Sequence, residues 1–136
     1  MQRISGPLLD RFDMRIEMTR VPPEQLLGRK PGEPSALVAG RIAAARAIAL
    51  ARNGGLPNAL LEGVALARAC ALRPRDKAEL TRLATGSVLT ARGVHRVLRV
   101  ARSMADLEGR AVVHADDLMA ALRLREPGSP PAAQAA

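Results

Sequence analysis

The sequence predicts an all-α protein, a bundle of about five helices with a short helix and strand ahead of it. Aromatic residues make up 1% of the 136 residues, so the core must be aliphatic, and alanine and leucine favour helices over strands. Apolar residues also recur at helical spacing in segments that begin at capping residues and end at glycine or proline. A chain of this length holds one ordinary core.

Residues 1–20 predict a short helix followed by a strand. Pro7 suits a first helical position, and the residues after it allow about one and a half helical turns. From Met14 to Met18, apolar and charged residues alternate as they do in a half-buried strand. The sequence offers this strand no convincing partner, so we expect it to be loosely docked or disordered. Residues 21–34 contain four prolines and two glycines and predict a linker.

Five helical segments follow the linker, each with a start or stop signal of its own. They are Ser35 to Gly54 with Ser35 as N-cap, Asn58 to Leu72 with Asn58 as N-cap, Asp76 to Thr85 with Asp76 as N-cap, Thr90 to Gly109, and Ala115 to Arg123. Residues 126–136 contain three prolines and an Ala/Gln-rich end, which predict a disordered tail.

The helix from Thr90 has the clearest amphipathic pattern. Its apolar face carries Val94, Val97, Leu98, Ala101, Met104 and Ala105. Its polar face carries Arg92, His95, Arg96, Arg99, Arg102 and Asp106. The polar face is either solvated surface or a site of DNA or phosphate contact through Arg96, Arg99 and Arg102. One alternative function is therefore an independent basic helical module that binds DNA or another protein.

The net charge of +8 comes almost entirely from arginine, because Lys30 and Lys77 are the only lysines among 21 basic residues. Such a surplus fits both a GC-rich genome and a nucleic-acid or phosphate-binding role. The scarcity of aromatic rings disfavours the OB-fold and RRM, which stack bases on rings. Cys70 is the single cysteine and lies in an apolar stretch, so it predicts a buried thiol. With only two histidines besides, no metal site is expected.

No phosphate-binding loop is present, since Lys30 precedes proline and Lys77 precedes alanine. The pair Asp116 and Asp117 predicts a helix start, where carboxylates favour the positive end of the dipole. No apolar run is long enough for a membrane span, and no signal peptide is recognisable, so a cytoplasmic location is expected. On spacing alone, Arg11 at the helix–strand junction and Arg92 in the first turn of its helix are surface residues.

Two longer motifs stand out, ISGPLLDRFD from Ile4 to Asp13 and LTARGVHRVLRVARSMADL from Leu89 to Leu107. They resemble the C-terminal part of the magnesium-chelatase-like AAA+ ATPases, the family of ComM and of the magnesium chelatase ATPase subunit. The similarity extends through Ala44 to Arg46, through Asn58 and Ala59, and into the closing helix, so it covers nearly the whole chain before the tail. The chain departs from the family pattern at Phe12, Thr90, Val94 and Ser103, and in the Ala/Arg-rich stretch from Ala49 to Asn53.

The resemblance implies that the chain is the C-terminal part of a longer ATPase. Residues 1–20 would belong to the nucleotide-binding core, residues 21–34 to a linker, and residues 35–125 to the helical lid. By the same resemblance Arg11 matches the arginine finger, which acts in trans on ATP in the neighbouring subunit. Arg92 matches sensor 2, which contacts the γ-phosphate bound in its own subunit.

The expected partners are an upstream core and neighbouring ring subunits, with ATP and Mg²⁺ as ligands of the full-length protein. Without Walker A and Walker B motifs, the chain alone is expected to be an inactive monomer with no tightly bound cofactor.

Overall fold

The computed structural model describes residue 8, residues 11–16, residue 18, and residues 20–23, 32–86 and 89–125. These residues contain five α-helices and one 3-10 turn, and no strand, which confirms the all-α prediction. The helices are α1 (Ser35–Arg52), α2 (Gly63–Cys70), α3 (Pro74–Gly86), α4 (Ala91–Leu107) and α5 (Ala115–Arg123), and the 3-10 turn is Asn58–Leu60. Within these ranges, no helix is long and apolar enough to cross a membrane.

Helix α4 is the centre of the bundle, in contact with α1, the 3-10 turn, α2 and α5. The core around it is aliphatic, as the composition requires, and its most buried members are Leu66, Cys70, Val97, Ala101, Ala105, Val113, Leu118 and Ala121. Cys70 is fully buried, which confirms the prediction of a buried thiol. Burial raises the pKa of this thiol to about 11, so the sulfur stays protonated inside the bundle.

Three residues predicted as N-caps do not occupy the N-cap position of an α-helix. Ser35 is the first helical residue, and the N-cap is Pro34. Asn58 opens the 3-10 turn, and α2 begins five residues later at Gly63. Asp76 lies inside the first turn of α3, because the proline at position 74 already begins the helix. By contrast, α5 begins and ends at the predicted residues.

The predicted strand is also wrong for the residues that the structure describes. Residues 14–16 and Met18 belong to no strand, because the described neighbours are helices whose backbone groups are already paired. Instead, the backbone N–H of Arg15 donates to the carbonyl of Leu124 at 2.6 Å, at the end of α5. The predicted disordered tail, residues 126–136, and much of the linker, residues 24–31, lie outside the described residues.

Candidate functional site

Arg92 lies in the first turn of α4, and the start of this helix is capped. The Thr90 hydroxyl accepts a hydrogen bond from the Gly93 backbone N–H at 3.0 Å. A Cβ at position 93 would lie 3.4 Å from Leu89 Cδ2 and from Thr90 Oγ1, so glycine keeps the cap uncrowded. Arg92 is exposed, and no residue in the described ranges forms a hydrogen bond or ion pair with it. The cap therefore fixes the first turn of α4, and the Arg92 guanidinium in that turn has no partner among the described residues.

Arg11 is exposed as well, but its backbone is held against the bundle. The Arg96 side chain, one turn after Arg92 on α4, donates to the Arg11 carbonyl and, at 3.0 Å, to the Asp13 carboxylate. Arg125 donates to the Phe12 carbonyl at 3.2 Å. The Arg11 guanidinium itself has no partner among the described residues. The structure thus brings the segment that carries Arg11 to the helix that carries Arg92.

The basic face predicted for α4 is not a free surface. The Arg96 side chain is only 15% exposed and is paired with Asp13. Arg99 is 19% exposed, donates to the Leu61 carbonyl at 2.9 Å and lies 3.8 Å from Glu62. Both guanidinium groups are used to hold other parts of the chain to α4.

The prediction that Arg102 and Asp106 lie on a solvated face is wrong. The Arg102 side chain is fully buried, and it donates to Asp106 at 2.9 Å and to the carbonyls of Ala69, Arg110 and Ala111. One guanidinium therefore binds the end of α2 and the loop after α4 simultaneously. Buried in this way, Arg102 is not available for DNA contact.

Asp106 is the acceptor at the centre of a buried polar network that the sequence analysis missed. Arg52, at the end of α1, donates to its two carboxylate oxygens at 2.5 and 3.0 Å. Asn58 donates to Asp106 Oδ2 at 2.8 Å and accepts from Arg52 at 2.8 Å. Burial acts to raise the pKa of Asp106, but the hydrogen bonds from Arg52 and Asn58 and the charge of Arg102 outweigh this effect. The pKa therefore lies below its usual value. The network joins α1, the 3-10 turn and α4 through a carboxylate that stays ionised.

Two sequence signals were available for this network. Arg102 and Asp106 are oppositely charged and four residues apart, which is the spacing of neighbours on one helix face. Asn58 is a lone amide within the otherwise apolar stretch from Leu56 to Leu61. Nothing in the sequence alone pairs either of them with Arg52, since 54 residues separate Arg52 from Asp106.

Two further buried carboxylates, those of Asp76 and Asp117, organise the start of α5. Asp117 accepts from the His114 backbone N–H at 2.8 Å and from both terminal nitrogens of Arg110, at 2.6 and 2.7 Å. This confirms the predicted helix start at the Asp116–Asp117 pair, and His114 is the N-cap of the helix. Asp76 reaches across from α3, accepting from the Ala115 N–H at 3.2 Å and from Arg73 at 2.7 Å. These carboxylates are structural.

A groove of about 300 Å³ lies between α1 and α4, with Ile42 and Leu107 on its walls and Asn58, Ser103 and Asp106 at its polar end. Asp106 already accepts four hydrogen bonds there, so it has no acceptor position left for a ligand. In the described part of the chain, no three His, Cys, Asp or Glu side chains are grouped in a way that could hold a metal ion. Several exposed arginines have no partner among the described residues, and of these Arg11 and Arg92 lie in the two long motifs. Their guanidinium groups are therefore the candidate functional groups, since a guanidinium suits a phosphate.

A family model and several known proteins are similar to this chain. The profile of the family described as "Magnesium chelatase, subunit ChlI C-terminal" matches residues 32–125. Competence protein ComM of Haemophilus influenzae is 36% identical over 126 residues, covering 92% of this chain and 25% of that protein. Uncharacterized protein Rv2897c of Mycobacterium tuberculosis is 41% identical over 133 residues, covering 93% of this chain and 26% of that protein. Uncharacterized protein YifB of Escherichia coli is 35% identical over 127 residues, covering 92% and 25%. The chain thus spans about a quarter of the length of these relatives.

Proposed function

Since the chain belongs to the magnesium chelatase ChlI C-terminal family, we propose that it is the helical lid of an AAA+ ATPase. In this role it couples ATP binding and hydrolysis to conformational change in a ring of subunits. The phosphate loop and the Mg²⁺ ligands are supplied by another part of the longer protein. Because the work consumes ATP, we propose a cytoplasmic location.

The observation that carries the proposal is the exposed guanidinium of Arg92 at the capped start of α4, which has no partner among the described residues. Arginine stays protonated and presents paired N–H donors, which match the equatorial oxygens of a γ-phosphate. Arg92 is the sensor 2 residue, and it contacts ATP bound in its own subunit. The contact draws the first turn of α4 toward the nucleotide and closes the lid.

The rest of the bundle follows α4 because the buried network ties it together. Asp106 links α4 to α1 through Arg52, and Arg102 links α4 to the end of α2 and to the loop before α5. Breaking a buried ion pair costs about 3–5 kcal/mol, so the helices joined by this network are expected to move as one body.

Arg11 is the arginine finger of this ATPase. Its guanidinium is exposed and unpaired within the described residues, as a group that reaches into a neighbouring subunit must be. Fingers of this kind stabilise the charge that develops during phosphoryl transfer and accelerate it by about 10³–10⁵-fold. The alternative of an independent DNA-binding module is weaker, because Arg96, Arg99 and Arg102, the arginines proposed for DNA contact, are buried or engaged within the chain.

Turnover and nucleotide affinity of the full-length ATPase test these roles. Arg92→Ala is expected to weaken ATP binding and lower kcat, whereas Arg11→Ala is expected to lower kcat by at least about 10³-fold with ATP affinity nearly unchanged. Arg68→Ala is the matched control, because Arg68 is also exposed on a lid helix and matches neither motif. Normal turnover in Arg11→Ala or in Arg92→Ala would refute the corresponding role.

Mixed rings distinguish action in trans from action in cis. Arg11→Ala subunits are combined with subunits whose phosphate loop is disabled but whose Arg11 is intact. If Arg11 acts in trans, the mixture hydrolyses ATP although neither variant does so alone. The same mixture made with Arg92→Ala stays inactive if Arg92 acts in cis, and recovery there would contradict that assignment.

A further inference from the structure

Arg96 is the residue of α4 that holds the segment carrying Arg11. Its Nη1 donates to the Arg11 carbonyl and to the Asp13 carboxylate, across more than 80 residues of sequence. The Arg96 side chain is 15% exposed, so its stem is packed on the bundle and its charged end is directed at this one segment. Asp13, at 52% exposure, is the more exposed partner of the pair.

The same segment has two further attachments, and both come from the end of α5. Arg125 donates to the Phe12 carbonyl at 3.2 Å, and the Leu124 carbonyl accepts from the Arg15 N–H at 2.6 Å. The backbone is therefore held at Arg11, Phe12 and Arg15. The Arg11 guanidinium has no partner among the described residues. This arrangement fixes the backbone of Arg11 and leaves its side chain able to extend away from the bundle.

We propose that Arg96 is a positioning residue that transmits lid movement to Arg11. This proposal rests on the function proposed above. Helix α4 then makes two contacts one turn apart: Arg92 contacts the nucleotide of its own subunit, and Arg96 contacts the segment that carries Arg11. When ATP draws the first turn of α4, Arg96 moves with it and carries the Arg11 carbonyl. The nucleotide state of one subunit thereby determines how its Arg11 is positioned toward the neighbouring subunit.

Amide hydrogen exchange tests the attachment in the 136-residue chain, without any nucleotide. Arg96→Ala removes the donor to two acceptors, and exchange at the Arg15 N–H is expected to accelerate about tenfold. Arg96→Lys keeps a donor and the charge and is expected to restore part of the protection. Arg99→Ala is the control, since Arg99 has similar exposure on the same helix but holds Leu61 and Glu62. It is expected to change exchange at Arg15 less than twofold.

Turnover of the full-length ATPase tests the positioning role. Arg96→Ala is expected to lower kcat at least fivefold with ATP affinity within twofold, and Arg99→Ala is expected to lower kcat less than twofold. Unchanged exchange at Arg15 in Arg96→Ala would overturn the attachment. Accelerated exchange with normal kcat, in an enzyme that Arg11→Ala does inactivate, would overturn the positioning role alone. If Arg11→Ala itself has normal kcat, the finger assignment fails and the positioning role with it.

Discussion

Replacing Asp106 with asparagine removes one negative charge from inside the bundle and hardly changes the side-chain volume. In the native chain, the carboxylate accepts two hydrogen bonds from Arg52 and one each from Asn58 and Arg102. Asparagine offers a single carbonyl oxygen and places an amide nitrogen where a second acceptor stood. At least one of these donors then loses its acceptor, and both arginines lose the balancing charge.

The cost depends on which arginine can reach water. Arg52 has a side chain that is 24% exposed, so it can turn partly into solvent. Arg102 is fully buried, and its remaining partners are three neutral carbonyls. Leaving a buried charge without its counter-ion costs about 3–5 kcal/mol. Since a small domain has a free energy of unfolding of about 5–15 kcal/mol, Asp106→Asn is expected to fold marginally.

Urea unfolding followed by far-UV circular dichroism at neutral pH measures this loss. We expect the free energy of unfolding to fall by about 3–5 kcal/mol, and the melting temperature to fall by roughly 12–40 °C. Glu33→Gln is the matched control, because the Glu33–Arg41 pair is exposed and such pairs contribute about 0.2–1 kcal/mol.

A second substitution separates the loss of charge balance from a simple loss of contacts. Adding Arg102→Met to Asp106→Asn removes the buried cation that the first change left unbalanced, so the double variant is expected to be more stable than the single one. A loss below about 1.5 kcal/mol in Asp106→Asn, or strictly additive losses in the double variant, would refute the reasoning, because a buried pair costs more than that to break.

Two further predictions concern pH and the cap of α4. The pKa values of Asp76, Asp106 and Asp117 all lie below their ordinary value, so their stabilisation is complete above the unfolded pKa near ~4 and is lost as pH falls through the folded values. Urea midpoints should accordingly drop in acid, and less steeply in Asp106→Asn. Thr90→Ala should cost about 1 kcal/mol by thermal unfolding, while Thr90→Ser, which keeps the hydroxyl, should cost little. An alanine variant as stable as the native chain would argue against the cap.

Features set by local signals were predictable from the sequence. The Thr90 hydroxyl caps α4, and Gly109 follows the helix with a φ of 66°, in the left-handed region that glycine favours. Helix α5 begins after His114 with two carboxylates in its first turn. Each of these signals acts within a few residues, so no knowledge of the tertiary fold was needed.

Features set by distant partners were not predictable in the same way. The helical wheel of α4 assumes one apolar buried face, but α4 contacts α1, α2 and α5, and its buried residues extend to Arg102 and Asp106. Arg102 and Asp106 therefore lie inside the protein although their residue types favour the surface. Asp76 likewise could not be paired from the sequence. Its carboxylate accepts a hydrogen bond from the backbone N–H of Ala115 in α5, which is 39 residues away.

The arginine surplus is explained by hydrogen-bond capacity as much as by charge. Guanidinium carries five N–H donors in a planar fork, and Arg102 uses its terminal nitrogens on three carbonyls and a carboxylate at once. Lysine has three donors on one atom and cannot span the end of α2, the loop before α5 and Asp106 together. Arg96 and Arg99 likewise each approach a carbonyl and a carboxylate. In a core with hardly any aromatic side chains, arginine supplies the long connections between helices. The guanidinium groups of Arg11 and Arg92 make no such connection in the described part of the chain.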